Sequence, residues 1–418
     1  MAQLKDDCFA FGGQLMPLEE ALAILAERLG PVTGTEEVPL RIGLDRILGE
    51  DVIALRDVPP HDNSAVDGYA VFFDDLDADG ETRLAVTGRI AAGHPLDREA
   101  RPGEALRVFT GAPMPDGPDT IFMEEDCRVE GDAVVLPPGL ERGSNRRKAG
   151  EDIVSGTLIV PAGHRLRPQE IGVAASVGRS RLIVRQRLKA AVFSTGDEVR
   201  DPGQDAPDGC IFDANRYTVM GLLEGLGCEV TDLGILPDNL DTIRGALEVA
   251  AVGHGLLITS GGVSEGEEDH VKAAVEALGK IHFWRLAIKP GRPIALGQVG
   301  DTAFVGLPGN PVAAMVTFMV IARSVALLLA GCMDVVAPRF PVRAGFDYKK
   351  KLGRREWARV RIETDVKGEL VAMKHHASGA GILASMVEAD GLVELPEDMS
   401  SLVKGATVDF LPFSEVMR

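Results

Sequence analysis

LITSGGVSEGEEDHVKAAV, residues 257–275, runs an apolar strand into a glycine-rich turn and then into a helix that opens near Asp269. In Ser260-Gly261-Gly262-Val263-Ser264-Glu265-Gly266 the glycines let several backbone N–H groups face one spot. The positive end of the following helix dipole adds to that field, and the nest suits a phosphate. Asp269 at the helix start has two readings: a carboxylate that complements the dipole, or a ligand that holds Mg²⁺ beside phosphate. The loop is neither G-x-G-x-x-G nor G-x-x-x-x-G-K-[ST], which disfavours a nicotinamide enzyme and a P-loop ATPase.

Outward from this stretch, residues 188–330 alternate short apolar strands with helical segments. That pattern predicts a parallel sheet with helices on both faces and a ligand crevice at the carboxyl ends of its strands. Three other strand ends converge on the same edge: Ser194-Thr195-Gly196-Asp197-Glu198, Asp238 in ILPDN, and Leu307-Pro308-Gly309-Asn310-Pro311. Each alone is an ordinary turn; together they mark a ligand site.

The flanks differ. PLEEALAILAERL, residues 17–29, repeats leucine at helical spacing and predicts an amphipathic helix. Residues 56–155 change to short strands with many turns, a β-rich module, and residues 336–418 show strand-like alternation again, a small β domain. The expected fold is therefore α/β multidomain.

Composition excludes several classes. The formal charge of −19 opposes nonspecific binding to nucleic acid or an anionic membrane. Five scattered cysteines without C-x-x-C oppose a thiolate metal site and fit a reducing cytoplasm. MAQLKDDCFAFGG has neither a basic n-region nor a long apolar run, so no signal peptide is expected. Val312 to Ala330 is apolar enough to be mistaken for a membrane span, yet Arg323 interrupts it and Asn310-Pro311 opens it like a soluble helix. Adjacent His375 and His376 would alternate sides on a strand, a poor chelate, and are expected at the surface or half-buried. Any metal is expected on oxygen ligands.

IHFWRLAIKPGRPIALG places Arg285, Lys289 and Arg292 close together, and the even spacing of Arg285 and Lys289 puts both on one side of a strand, where they suit an oxyanion. A solvated edge strand is the alternative. Arg142, Arg146, Arg147 and Lys148 form a second cluster that by itself reads as a solvated loop. In the β-rich module, DNSAVDGYAV (62–71) and Thr110-Gly111-Ala112-Pro113 cannot be told from turn residues by chemistry alone.

Taken together, DNSAVDGYAV, RVFTGAPMPDGPDTIFMEE, AGEDI, FSTGDEV, SGGVSEGEEDHVK, RLAIKPGRP and VGLPGNPVAA resemble, in order from about residue 60 to 315, the molybdopterin molybdenumtransferase family, the bacterial MoeA proteins and the E-domain of gephyrin. The resemblance implies four domains: 1–55 with 156–186, an inserted β-rich module at 56–155, an α/β molybdopterin-binding domain at 187–335, and a C-terminal β domain at 336–418. It also implies a homodimer whose active site is completed by the partner's inserted module. The implied reaction consumes adenylated molybdopterin and molybdate, releases AMP and leaves molybdenum on the dithiolene sulfurs, with Mg²⁺ neutralising phosphate charge. Asp269 and Asp238 fall at the metal and phosphate region, and Glu198 at a positioning or proton-transfer place. Ser260, Gly261, Gly262, Ser264, Pro308 and Pro311 would surround the pterin substrate. Arg285 and Lys289 would bind oxyanion with Arg359 in REWARVRI and Ser378 in HHASGAG, and Asp67, Thr110 and Asp152 would act across the dimer. His61 stands where the family pattern has an aromatic residue, and Arg285 where some relatives have Lys. The adenylyltransferase that precedes this step is an expected partner. The rival readings are a non-catalytic dimeric scaffold and molybdopterin adenylyl transfer.

Overall fold

The computed structural model describes residue 3, residues 15–262 and residues 270–417. Its centre is a six-stranded sheet built from β1 (Lys189–Thr195), β2 (Glu229–Leu236), β3 (Leu256–Ser260), β4 (Gly279–Arg285), β6 (Pro293–Val299) and β7 (Thr302–Leu307), in the order β2-β1-β3-β7-β6-β4. A short strand, β5 (Ile288–Lys289), lies between β4 and β6 in the chain and pairs elsewhere. Strands β2, β1, β3 and β7 are parallel, as the alternation predicts; β6 and β4 extend the sheet antiparallel. The strand period of two sorts side chains to opposite faces. Ala190, Val192, Leu256 and Ile258 pack with α2 (Asn215–Gly225). Ala191, Phe193 and Leu257 pack with α3 (Leu240–Ala251) and α4 (His270–Leu278). Both faces are covered, which is why these strands are continuously apolar rather than alternating.

The apolar stretch after Asn310 is a helix, α5 (Pro311–Ala330), interrupted by a π turn at Phe318–Ala322. Its most apolar window is 89% buried inside the protein. Arg323, mid-helix, donates one guanidinium N–H to the Val335 carbonyl at 2.7 Å. Asn310 occupies the N-cap position, though its side chain makes no capping bond, and the helix ends at Gly331 with φ +87°. The amphipathic helix α1 (Leu18–Arg28) buries Leu18, Ala21 and Leu25 in the cluster that holds α5 and Trp284. The apolar stripe of α1, the helix that opens the N-terminal unit, packs on the α/β core.

That linker unit closes on itself. Strand Thr35–Pro39 pairs with Arg181–Arg185 and Val52–Ile53 with Leu158–Val160, so the segment between them is an insertion. The insertion is a six-stranded sheet, from Thr120–Met123 at one edge to Arg128–Glu130 at the other, with a small apolar cluster on each face. The C-terminal part is a barrel of β8 (Phe340–Ala344), β9 (Arg355–Thr364), β10 (Leu370–Lys374), β11 (Gly391–Leu395) and β12 (Thr407–Pro412), closed by the pairing of β9 with β11. β5 adds to this barrel, running parallel to β9 with Lys289 opposite Glu356. One connection of the α/β sheet is thus stitched into the neighbouring barrel, and the site lies at that seam.

Candidate functional site

A cavity of about 610 Å³ opens between the carboxyl ends of β3 and β7, the first turn of α5 and the barrel. Its sheet side is backbone-rich: Gly261, Gly262 and Leu307 through Asn310. The Gly261 N–H donates to the Leu307 carbonyl at 3.0 Å, which ties the loop after β3 to the loop after β7. Gly262 has φ +64°, and a Cβ there would stand 2.6 Å from Thr195 Cγ2, so close packing excludes a side chain. The seam between β5 and β6 turns at Gly291, φ +93°, where a Cβ would meet Thr317 Oγ1 at 2.0 Å.

The barrel side carries charge. Glu356 is 2% exposed and its carboxylate accepts from Lys289 Nζ at 3.2 Å, Tyr348 OH at 3.0 Å and Arg354 Nε at 2.9 Å. Burial and the Glu356 charge push the Tyr348 phenol up to about 12, so it stays a donor. Arg359 is buried, and its guanidinium donates to the carbonyls of Gly379 at 3.1 Å and Ala377 at 2.8 Å. Burial lowers its pKa, the mark of a cation held in low dielectric. Those two bonds shape the loop that carries Ser378 along the cavity wall. Lys374 Nζ donates to the His375 carbonyl at 3.1 Å. His375 Nδ1 accepts the Ala377 N–H at 3.0 Å, which leaves Nε2 as donor to Glu388 at 2.9 Å.

Several expected site residues meet here. Glu198, Gly261, Gly262, Lys289, Pro308, Arg359 and Ser378 line the cavity. Ser260 does not; its Oγ accepts from Asn215 Nδ2 at 2.8 Å and donates to the Pro308 carbonyl at 2.9 Å, so its hydroxyl is committed to the loop. Asp238 is exposed just beyond β2 and accepts from Thr195 Oγ1 at 3.3 Å. Pro311 starts α5 outside the lining. Ser264 and Asp269 lie outside the described residues. The shared strand expected for Arg285 and Lys289 is broken at Leu286–Ala287: Arg285 ends β4 of the α/β sheet, while Lys289 belongs to the barrel edge. Even spacing does not carry across that break, and of the pair Lys289 alone lines the cavity.

Asp67, Thr110 and Asp152 are not brought to the cavity. Asp67 Oδ1 accepts the Thr110 N–H at 2.7 Å and its hydroxyl at 2.8 Å, on the exposed surface of the inserted module. Those two bonds hold the Asp67 carboxyl below its usual range. Asp152 is exposed, its N–H bound to the Val58 carbonyl at 3.0 Å. Two members of the Arg142 cluster are paired locally: Arg142 with Asp119 at 2.7 Å and with Asp74, and Arg146 with Asp62. Among the described residues no group of three or more His, Cys, Asp or Glu is placed to hold a metal.

The sequence reading missed Tyr348, Glu356, Lys374 and His375. The two histidines follow β10, His375 half-buried and His376 exposed as expected; their ring centroids lie 4.3 Å apart, tilted by 31°, with His375 in the cavity wall. The available signal for Glu356 was a single carboxylate among the three arginines of REWARVRI, on a strand whose first six residues are buried.

Comparison with known proteins agrees along the whole chain. Residues 16–178 match the MoeA N-terminal region (domain I and II), 191–327 a probable molybdopterin binding domain, and 341–413 the MoeA C-terminal region (domain IV). A molybdopterin molybdenumtransferase of Haemophilus influenzae is 36% identical over 96% of this chain and 100% of its own length. One from Nostoc is 32% identical over 93% of this chain and 91% of its own. The crystal structure of the molybdopterin biosynthesis moeA protein of Pyrococcus horikoshii OT3 superposes with a TM-score of 0.82 at 27% identity, covering 96% of this chain and 100% of that one. With three consecutive regions matched and a relative above 30% identity aligned end to end, the chain belongs to the molybdopterin molybdenumtransferase family.

Proposed function

We propose that this protein works in molybdenum cofactor biosynthesis, taking adenylated molybdopterin and molybdate in the cavity and releasing AMP as molybdenum passes to the dithiolene sulfurs. The observation that carries the reading is the pairing of two walls. One is a backbone nest of Gly261, Gly262 and Gly309 at the carboxyl edge of a parallel sheet; the other presents Lys289, Arg359 and Lys374. The nest suits the pyrophosphate, since the Gly261 N–H, taken by the Leu307 carbonyl, holds the turn in shape and N–H groups at a strand–helix turn take phosphate oxygens. The cations suit a tetrahedral oxyanion. Arg359 bonds only to carbonyls among its described partners, so an arriving anion supplies the charge its buried guanidinium lacks. Ser378, on the loop that Arg359 shapes, adds a hydroxyl.

Water adds across the pyrophosphate, the bond to the adenylate breaks, and AMP leaves while the pterin keeps its terminal phosphate. Glu198 lines the cavity and positions or deprotonates that water. Mg²⁺ fits the donor chemistry here. Asp238 is an exposed carboxylate with a hydroxyl as its described partner, and such sites need one or two carboxylates because phosphate and water supply the rest. Asp238 and Asp269 would hold the ion, which would neutralise phosphate charge. Asp67, Thr110 and Asp152, which do not line their own cavity, act on the partner's in a homodimer. Supply of the adenylated pterin falls to the adenylyltransferase, and the chain acts in the cytoplasm.

The test supplies adenylated pterin with molybdate and follows AMP. Release of AMP with molybdenum retained on the pterin is expected. Pyrophosphate from ATP and free pterin would instead establish adenylyl transfer, and no turnover of either pair would leave a scaffold.

A further inference from the structure

We propose that Asn215 is a positioning residue that latches the two phosphate-facing loops of the cavity, an inference that rests on the reading of that cavity given above. Asn215 opens α2, on neither loop, yet its Nδ2 donates to Ser260 Oγ at 2.8 Å and to the Gly309 carbonyl at 2.8 Å. The Ser260 hydroxyl in turn donates a hydrogen bond to the Pro308 carbonyl at 2.9 Å. One amide group therefore spans the turn after β3 and the turn after β7, using both of its N–H donors. The two turns are in contact: a Cβ built on Gly309 would stand 3.7 Å from Gly261 Cα, an ordinary van der Waals distance. Those two glycines are the floor on which the nest depends.

The latch is itself anchored. The next residue, Arg216, is 2% exposed and its guanidinium binds Asp213 at 3.0 Å and also Asp201 and Asp232. Its N–H donates to the same Asp213 carboxylate at 3.1 Å. Three carboxylates, from the segment before α2 and from β2, thus fix the head of the helix. Such a buried cation with complete pairing holds its element rigidly, because moving it would strand charge in low dielectric. Asn215 inherits that rigidity and transmits it to Gly261 and Gly309. The sequence signal is the string Asp213-Ala214-Asn215-Arg216 at the mouth of a helix, where an ordinary cap would suffice.

Asn215→Asp keeps the shape and removes both donors; Asn215→Ala removes the group without adding charge. The measurements are AMP affinity by calorimetry, the molybdate dependence of insertion, melting temperature, and amide exchange at Gly261, whose N–H donates to Leu307 across the latch. Both variants should weaken AMP binding about tenfold or more and speed Gly261 exchange by a similar factor. Half-saturation by molybdate should stay within about twofold, because the cations of the barrel wall are untouched. Unchanged Gly261 exchange, or unchanged AMP affinity, overturns the inference. So does a fall in melting temperature that carries molybdate dependence down with it, since that marks a merely structural residue. A parent protein that does not bind AMP overturns the reading of the cavity, while Gly261 exchange still judges the latch separately.

Discussion

Replacing Lys289 by alanine tests the oxyanion assignment most directly. Its ammonium is half-exposed and 3.2 Å from Glu356 Oε2. The fold should tolerate the loss, because the Glu356 carboxylate keeps Tyr348 OH at 3.0 Å and Arg354 Nε at 2.9 Å. An ion pair with one member this exposed contributes about 0–1 kcal/mol to stability. Its value to a bound dianion is larger. A charge-assisted hydrogen bond inside a cavity is worth about 1.5–3 kcal/mol. At about 1.4 kcal/mol per factor of ten, this predicts a loss of molybdate affinity of roughly 10- to 150-fold. The assay titrates molybdate against molybdenum insertion at saturating adenylated pterin, with AMP affinity measured separately by calorimetry. Half-saturation by molybdate should rise by that factor while AMP affinity changes little. An unchanged molybdate half-saturation with weakened AMP binding would refute the reasoning and move Lys289 to the phosphates.

Asp269→Asn should leave the fold intact and cut AMP release by orders of magnitude while adenylated pterin still binds; AMP release at the parental rate would reduce Asp269 to a helix-dipole residue. The chain should be a homodimer at micromolar concentration, so light scattering that returns a mass near 44.5 kDa would refute the proposed role of Asp67 and Thr110 across an interface. In the inserted module, hydrogen bonding from Arg98 holds buried Glu104 at about 2 against an ordinary 4.5. A depressed folded pKa stabilises above the unfolded value and is lost as pH falls, so unfolding of the parent should steepen between pH 4.5 and 2 relative to Glu104→Gln; superimposable melting curves would contradict the pairing. Gly291→Ala should lower the melting temperature, since its Cβ would overlap Thr317 Oγ1 at 2.0 Å and its φ of +93° disfavours any side chain; an unshifted melt would show that the turn relaxes freely.

The sequence by itself determined the α/β core. Continuous apolar runs such as KAAVFS and LLITS specify strands covered on both faces, and the turns after them place Glu198, Gly261, Gly262 and Pro308 on one edge. That inference is local, because strand period and turn chemistry act within a few residues. The apolar Val312–Ala330 stretch with its Arg was likewise legible as a buried helix, from Asn310, Pro311 and Arg323 alone. Only the tertiary structure decided what comes from distant pieces. α1 packs on the α/β core because the complementary apolar stripe is there, a fact no periodicity within residues 17–29 contains. Lys289 leaves Arg285 because the chain changes sheets at Leu286–Ala287, and strand parity is lost wherever a strand ends. Glu356 and Asn215 acquire their roles from partners dozens of residues away, Lys289 and Ser260. Side-chain type and spacing fix local geometry, whereas the meeting of charges across a seam depends on how whole domains pack.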